Sequence, residues 1–316
     1  MLKTISASAV GKIILTGEHA AVYGRPAIAL PVRQVAVTVQ ISPLAERSGV
    51  YLRAPQIGLD SGLSALAGSH SLRAAVELIL SRHDLPPAPD ALIAITSTIP
   101  VAAGMGSSAA LAVGLTRALL AYFGQPVNVE EVSATAFEIE KHQHGTPSGI
   151  DNSVIAHERC VYFTKDQPIE YLRPGKRMHF LIANTGVAAS TKDVVAAVRD
   201  KVNQDPAQFS PIIDRLGELS QQARAALEIG NEDALGQVMN VCQFMLRELT
   251  VSSVELDRLV SSAQQAGALG AKLSGGGRGG AMITLVTPRT EKVVASALAR
   301  AGAVDIILMT VDSGEE

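Results

Sequence analysis

The sequence predicts an α+β protein of two domains. Its 316 residues correspond to about two domains of ordinary size. Segments with strand patterning alternate with segments of helical periodicity in both halves. A polar stretch over residues 165–177, which holds two prolines and a glycine, separates those halves. We therefore expect an N-terminal domain over residues 1–168 and a C-terminal domain over residues 169–316.

The first half contains both kinds of element. Runs of β-branched or alternating residues predict strands at Thr4–Val10, Val35–Ile41 and Ala91–Ile99. Apolar residues at helical spacing predict helices at Leu72–Arg82, Ser108–Phe123 and Val129–Lys141. Gly11, Gly17 and Gly24 punctuate the segment between the first two strands, and we expect turns there.

The second half predicts helices on one face of an antiparallel sheet. A strand at Met178–Asn184 precedes several helices within Thr191–Ala266. Two short strands then flank a glycine run. A helix near Glu291–Ala301 and a strand at Val304–Thr310 complete the chain.

Composition excludes several classes of function. The chain is 47% hydrophobic and 18% charged with a net charge of −3, and it has five Tyr, six Phe and no Trp. A nucleic-acid binder would need a basic face and stacking aromatics, so we expect no nucleic-acid partner. Cys160 and Cys242 share no CxxC spacing, which excludes a disulfide framework and a zinc ribbon and favours a reducing compartment. Without a signal peptide or a membrane-spanning apolar run, we expect a cytoplasmic enzyme with no membrane partner.

A Gly-Ser segment between a predicted strand and a predicted helix gives the strongest local signal. It runs PVAAGMGSSAA from Pro100. Gly104 and Gly106 let several backbone N–H groups point at one anion, which the helix N-terminus also favours. Ser107 and Ser108 can cap the helix or bind a metal held by phosphates. No lysine follows the glycines, so this is not a Walker loop, and a simple turn with a serine N-cap is the alternative.

Two carboxylates flank a turn-rich segment, EKHQHGTPSGIDN, from Glu140 to Asn152. One carboxylate can hold Mg²⁺ beside nucleotide phosphates, and Asp151 can accept a hydroxyl proton. His142 and His144 lie two residues apart with no third His or Cys nearby, which argues against zinc. The alternative is a solvated polar loop.

Two further segments combine glycine with a basic residue. KLSGGGRGG, from Lys272, formally contains GxGxxG, but it opens a predicted strand rather than a helix, so we reject a dinucleotide fingerprint. Arg278 within it either reaches an anion or lies in solvent. GKIILTGEHAAVYG, from Gly11, places Lys12 before an apolar strand, either as an exposed edge charge or as a buried active-site cation.

Taken in chain order, the four segments resemble those of the GHMP small-molecule kinases: GKIILTGEHAAVYG, then PVAAGMGSSAA, then EKHQHGTPSGIDN, then KLSGGGRGG. The resemblance extends over residues 4 to 312. GEHAAVYG and HGTPSGIDN are most similar to the mevalonate kinase branch, and NTGVAASTK from Asn184 is also similar. The resemblance implies an N-terminal domain like ribosomal protein S5 domain 2 and a ferredoxin-like C-terminal domain. The chain departs from the family at Val10, where proline is common, and at Arg278, where glycine or alanine is usual.

The resemblance also implies roles for individual residues. Asp151 would be the catalytic base, and Lys12 would lie at the transferring phosphoryl group. Glu18 and His19, with Asp151, would line the substrate pocket. The residues implied in binding ATP or Mg²⁺ are Ala102, Ala103, Gly104, Met105, Gly106, Ser107 and Ser108 around the phosphates, Ser108 and Glu140 on Mg²⁺, Ser274 and Gly275 closing over the phosphates, and Ser97 on the nucleotide.

The implied reaction transfers the γ-phosphoryl group of ATP to the 5-hydroxyl of mevalonate, giving 5-phosphomevalonate. One alternative is another GHMP kinase, such as a phosphomevalonate kinase. Its phosphorylated substrate would need extra cations, and the segment around Glu18 offers only Arg25. A second alternative is a non-catalytic nucleotide-binding regulator, which would have lost an acid or Lys12. A homodimer is compatible with the resemblance.

Overall fold

The computed structural model describes residues 3–46, 48–87, 89–100, 103–144 and 147–313. The chain forms two compact units, and each is made of several separate segments of the sequence. The first unit comprises Met1–Gly11, Val35–Ile99 and Gly106–Glu158, and the second comprises Lys12–Gln34, Pro100–Met105 and Arg159–Glu316. The expected boundary between residues 168 and 169 stays a prediction.

Two long strands open the chain. β1 spans Ile5–Thr16 and β2 spans Ala27–Pro43, so both are longer than the sequence pattern predicts. Gly11 lies inside β1 instead of ending it, and Lys12 is therefore part of the strand. Gly17 and Gly24 do mark turns, because both adopt the left-handed conformation, with φ of 93° and 76°.

The first unit combines short strands with four helices. Its further elements are β3 (Val50–Ala54), β4 (Leu59–Gly62), α1 (Ser71–Arg82), β5 (Ala91–Ser97), α2 (Ser107–Tyr122), α3 (Val129–His144) and α4 (Ile150–His157). β5 pairs antiparallel with β2, from Val37 opposite Ser97 to Pro43 opposite Ala91, and parallel with β3. α2, α3 and α4 contact one another. The sequence did not predict β3, β4 or α4.

The second unit contains most of the helical residues. Its elements are β6 (Cys160–Phe163), β7 (Glu170–Leu172), β8 (Met178–Asn184), α5 (Thr191–Gln204), α6 (Pro206–Ile229), α7 (Glu232–Glu248), α8 (Val254–Gln265), β9 (Gly270–Leu273), β10 (Ala281–Val286), α9 (Glu291–Arg300) and β11 (Asp305–Val311). β6 pairs with the start of β2 and with β7. Neither β6 nor β7 was predicted.

An antiparallel sheet in the order β11-β8-β10-β9 organises the second unit. Helices α5 to α8 connect β8 to β9, and α9 connects β10 to β11. This connectivity and strand order are those of the ferredoxin-like fold, so that expectation and the α+β class are confirmed. Within the described ranges, no helix is long and apolar enough to cross a membrane.

Candidate active site

The Gly-Ser loop leads directly into α2. Gly104 and Gly106 both adopt the left-handed conformation, with φ of 71° and 74°. Gly106 occupies the N-cap position and no side chain caps the helix there, so the alternative of a serine N-cap is wrong. Ala103 and Met105 are buried, which anchors the loop and leaves the backbone between them for an anion. Ala102 lies outside the described residues.

Ser108, in the first turn of α2, faces the last turns of α3. Its hydroxyl donates to Oε1 of Glu140 and lies 3.3 Å from Oε1 of Gln143. Glu140 is buried. The two residues expected to hold the metal are therefore in contact, and the side-chain oxygen of Gln143 joins them. Sequence reasoning missed Gln143, which lies one turn beyond Glu140 on the same helix.

Asp151 lies in the first turn of α4 and is half-buried. The helix replaces the solvated loop that was the alternative. Gly149 precedes it in the left-handed conformation, with φ of 88°. The amide of Asn152 donates to the carbonyl and hydroxyl oxygens of Ser133 at 3.1 and 3.0 Å. These bonds fasten α4 to α3, which carries Glu140, so both carboxylates sit on packed helices of the first unit.

Ser97 ends β5 and is held by the backbone around it. Its hydroxyl accepts from the N–H of Ile99 at 3.1 Å. The side chain of Gln56 bonds both its N–H and its carbonyl, at 2.8 and 2.5 Å. The expected nucleotide contact of Ser97 stays a prediction.

Lys12 is buried on β1 in the second unit. The alternative of an exposed edge charge is therefore wrong. Its backbone N–H donates to the carbonyl of Met105 at 3.0 Å. This bond joins the strand that carries the lysine to the Gly-Ser loop.

Glu18 and Lys272 form a buried ion pair in the second unit. The Lys272 ammonium donates to Oε1 of Glu18 and, at 2.6 Å, to the carbonyl of Leu273. The two paired side chains are 1% and 0% exposed. Burial raises the pKa of the Glu18 carboxyl, and the positive charges of Lys272 and Lys12 oppose that rise. The sequence analysis assigned no role to Lys272, although this residue begins the segment KLSGGGRGG.

His19 adopts φ of 61°, a conformation that side chains rarely take. Its Nε2 lies 3.0 Å from the carbonyl of Gly276. Because a carbonyl only accepts, Nε2 carries the proton and Nδ1 is an acceptor. Burial lowers the pKa of His19 to about 4, against the opposing effect of the Gly276 bond, and Arg278 and Lys272 lower it further. The ring is therefore neutral at pH 7.

The glycine run between β9 and β10 needs its glycines for close packing. A Cβ on Gly277 would lie 2.1 Å from the carbonyl oxygen of Val251. The run leads into a strand, which confirms that it is no dinucleotide fingerprint. Arg278 is exposed with φ of 57°, and its N–H donates to Val251 at 2.6 Å. Gly275 has open space around its Cα.

Two sequence profiles match the chain. Residues 70–158 match the GHMP kinases N terminal domain, and residues 223–304 match the GHMP kinases C terminal. Both matched segments contain residues of the candidate site: Ser108, Glu140 and Asp151 in the first, and Lys272, Ser274 and Gly275 in the second.

Individual relatives align over almost the whole chain. The mevalonate kinase of Pyrococcus horikoshii is 34% identical, over 97% of this chain and 96% of its own. The mevalonate kinase of Thermococcus onnurineus is 35% identical, over 98% and 97%. Among solved structures, L. major mevalonate kinase in complex with R-mevalonate superposes with a TM-score of 0.85 at 28% identity, covering 99% of this chain and 97% of that one.

Proposed function

Since the chain belongs to the GHMP kinases, with relatives over its full length in their mevalonate kinase branch, we propose that it transfers the γ-phosphoryl group of ATP to the 5-hydroxyl of mevalonate. The product is 5-phosphomevalonate. The observation that carries the kinase chemistry is the bond between Lys12 and Met105. It ties a buried lysine to a glycine loop at a helix N-terminus, and such loops bind phosphate.

The Gly-Ser loop and Lys12 supply the positive field that ATP needs. Backbone N–H groups from Ala103 to Ser108 surround the phosphates, and Gly104 and Gly106 provide the left-handed turns that aim them. Phosphoryl transfer has a loose transition state, so the protein acts chiefly by positioning groups and neutralising charge. The ammonium of Lys12 stabilises charge on the transferring group.

The oxygen cluster of Ser108, Glu140 and Gln143 fits Mg²⁺. The ion prefers oxygen ligands, and a carboxylate with a hydroxyl or amide oxygen is such a set. The side chains that the structure describes include no group of three His, Cys, Asp or Glu residues able to hold a metal. Phosphate oxygens of the nucleotide would complete the coordination, as is usual for Mg²⁺ in kinases. When bound, Mg²⁺ would neutralise phosphate charge.

Asp151 accepts the proton of the attacking 5-hydroxyl. The bonds of Asn152 to Ser133 fix the helix on which Asp151 lies. A fixed carboxylate can orient the hydroxyl before it accepts the proton.

Glu18 and His19 favour a substrate with free hydroxyl groups. Both present buried acceptor atoms, Oε2 and Nδ1, which have no bond to any other described residue. Arg25, the further cation near Glu18 in the sequence, forms a salt bridge with Asp214 at 2.6 Å. A substrate phosphate would therefore meet a carboxylate-paired arginine, and this favours mevalonate over phosphomevalonate.

A coupled ADP-release assay across mevalonate, phosphomevalonate, galactose and homoserine tests the proposal. We expect ADP release only with mevalonate, and phosphorus NMR of the product should show a single monophosphate ester. Faster turnover of phosphomevalonate would support the alternative kinase, and nucleotide binding without turnover of any alcohol would support the regulator. A homodimer and a cytoplasmic location stay predictions, which analytical ultracentrifugation and cell fractionation test.

A further inference from the structure

Three buried polar atoms in the segment Thr16–His19 have no hydrogen-bond partner among the described residues. They are Oγ1 of Thr16, Oε2 of Glu18 and Nδ1 of His19. All three side chains are at most 6% exposed. Buried polar atoms are nearly always satisfied in folded proteins, and exceptions call for an explanation. Oε2 and Nδ1 are acceptors and the Thr16 hydroxyl can donate, so this set suits a ligand that carries alcohol hydroxyls.

Lys272 fixes which oxygen of Glu18 is left for that ligand. Its ammonium donates one hydrogen bond to Oε1 of Glu18 and a second to the carbonyl of Leu273. The Leu273 N–H in turn donates to Oε1 of Gln243 at 2.8 Å. The lysine is thus held on β9 by neighbours on its own strand and on α7. Oε1 of the Glu18 carboxylate is therefore occupied by Lys272, and Oε2 is left for the ligand.

A buried ion pair is weak evidence for stability, because removing two charges from water costs about as much as their attraction returns. Lys272 and Glu18 are both fully buried, so fold stability alone does not account for this pair. A positioning role does account for it, because the pair fixes one oxygen of the Glu18 carboxylate, and Thr16 and His19 of the same segment also carry buried atoms without a partner among the described residues.

We propose that Lys272 is a positioning residue for the phosphoryl acceptor: its ammonium holds Oε1 of Glu18, so that Oε2 accepts a hydrogen bond from a substrate hydroxyl. The inference rests on the proposed function only for the identity of the alcohol. Lys272 acts through Glu18 and does not itself touch the reacting atoms.

The charge of Glu18 is set by groups on three elements packed around it. Lys272 lies on β9, Lys12 on β1 and Cys242 on α7. Burial raises the pKa of the Cys242 thiol to about 12, so that group is neutral at working pH. The two lysines therefore provide the positive charge that opposes protonation of Glu18. Removing the Lys272 charge should move that protonation to higher pH.

The test uses Lys272→Met, which removes the charge at similar length, and Lys272→Arg, which keeps the charge. Lys292→Met, on the exposed surface of α9, is the matched control. We expect Lys272→Met to raise the KM for mevalonate at pH 7 by about tenfold or more, the worth of a hydrogen bond to a charged group, while the KM for ATP stays within about twofold. Lys272→Arg should recover part of the loss, and Lys292→Met should match the wild type.

The pH profile separates this role from a purely structural one. In Lys272→Met the KM for mevalonate should rise as pH falls, because protonation of Glu18 removes the negative charge that strengthens the hydrogen bond to Oε2. The midpoint of that rise should lie at higher pH than in the wild type. The double variant Glu18→Gln/Lys272→Met has no carboxylate to protonate, so its profile should be flat. Equal changes in the KM of both substrates without a pH shift would overturn the proposal.

The double variant also keeps the inference testable if Lys272→Met does not fold, because it removes both buried charges. The comparison is then with Glu18→Gln alone. In Glu18→Gln the side chain carries no charge and the charge-assisted bond from Lys272 is lost, so adding Lys272→Met should change the KM for mevalonate by no more than about twofold. A further tenfold rise would overturn the proposal. If the wild type phosphorylates a different alcohol of the panel, the proposed substrate is wrong and the same variants are measured with that alcohol.

Discussion

Ser274 uses its one hydroxyl to bond both backbone polar groups of Ile14, a residue 260 positions earlier in the chain. The hydroxyl accepts from the Ile14 N–H at 3.1 Å and donates to the Ile14 carbonyl at 2.8 Å. Both residues are buried. The bonds fasten the loop after β9 to β1, two residues beyond Lys12. The expected contact of Ser274 with nucleotide stays a prediction, and its hydroxyl already has a structural use.

Ser274→Ala should therefore destabilise the protein as well as slow the reaction. The substitution leaves a buried N–H and a buried carbonyl without their partner, at a cost of about 1–3 kcal/mol. The check is thermal unfolding by circular dichroism, compared with Ser296→Ala. Among the residues that the structure describes, the Ser296 hydroxyl bonds only the carbonyl of Lys292 on an exposed helix face, so its removal should leave the midpoint nearly unchanged. Unaltered stability in Ser274→Ala would contradict the structural role.

Ser108→Ala and Glu140→Gln should each increase the Mg²⁺ concentration needed for half-maximal rate and lower kcat. Ser108→Ala removes one oxygen ligand, Glu140→Gln removes the negative charge of another, and both leave the phosphates as further ligands. The KM for mevalonate should change little. Glu138→Gln is the control, because Glu138 lies on the same helix and pairs with Lys141 at 3.5 Å. If Mg²⁺ titrations of both variants and the control coincide with the wild type, the metal assignment fails.

His19 should make stability depend on pH in the acid range. Its pKa is about 4 when folded, against 6.5 for the free side chain. Between these values the unfolded chain binds more protons than the folded chain. The contribution of His19 to the free energy of unfolding is therefore fully present above pH 6.5 and is lost as pH falls from 6.5 to 4. The shift is worth about 3 kcal/mol. Unfolding midpoints between pH 7 and 4 should fall less in His19→Gln than in the wild type or in His142→Gln, which changes an exposed histidine. Parallel curves would contradict this.

The long periodic elements of the fold were predictable from sequence. α2 was expected at Ser108–Phe123 and lies at Ser107–Tyr122, and β8 was expected at the residues it occupies. The short strands β3, β4, β6 and β7 were not predicted. β7 has three residues, and only its pairing with β6 defines it. Local sequence carries no such pairing signal.

α4 was missed for a different reason. Three polar residues follow Ile150 at its start, and two of them, Asn152 and Ser153, are buried. Asn152 bonds to Ser133 on α3 and Ser153 to the carbonyl of Gly149 one turn earlier, so hydrogen bonds bury positions where a sequence pattern looks for apolar residues. Lys272 was missed as a site residue for a similar reason, because its ion pair joins it to Glu18, 254 positions away.

Asp151→Asn should abolish most of the turnover and leave substrate binding intact. Asparagine keeps the shape of the side chain but removes its charge and its capacity to take a proton. A positioned general base is worth about 10²–10⁴-fold in rate, and we expect kcat to fall within that range. Calorimetry should give unchanged affinities for ATP and mevalonate, because neither needs that proton transfer to bind.

Two further variants make that result specific. Glu158→Gln, at the other end of α4, removes a carboxylate paired with Arg117 at 3.2 Å and should lower kcat by no more than about twofold. Lys12→Met should lower kcat through lost charge stabilisation at the phosphoryl group. If Asp151→Asn keeps more than about a tenth of the wild-type kcat, the loss is smaller than the loss expected for a general base. Asp151 then orients the hydroxyl and does not accept its proton.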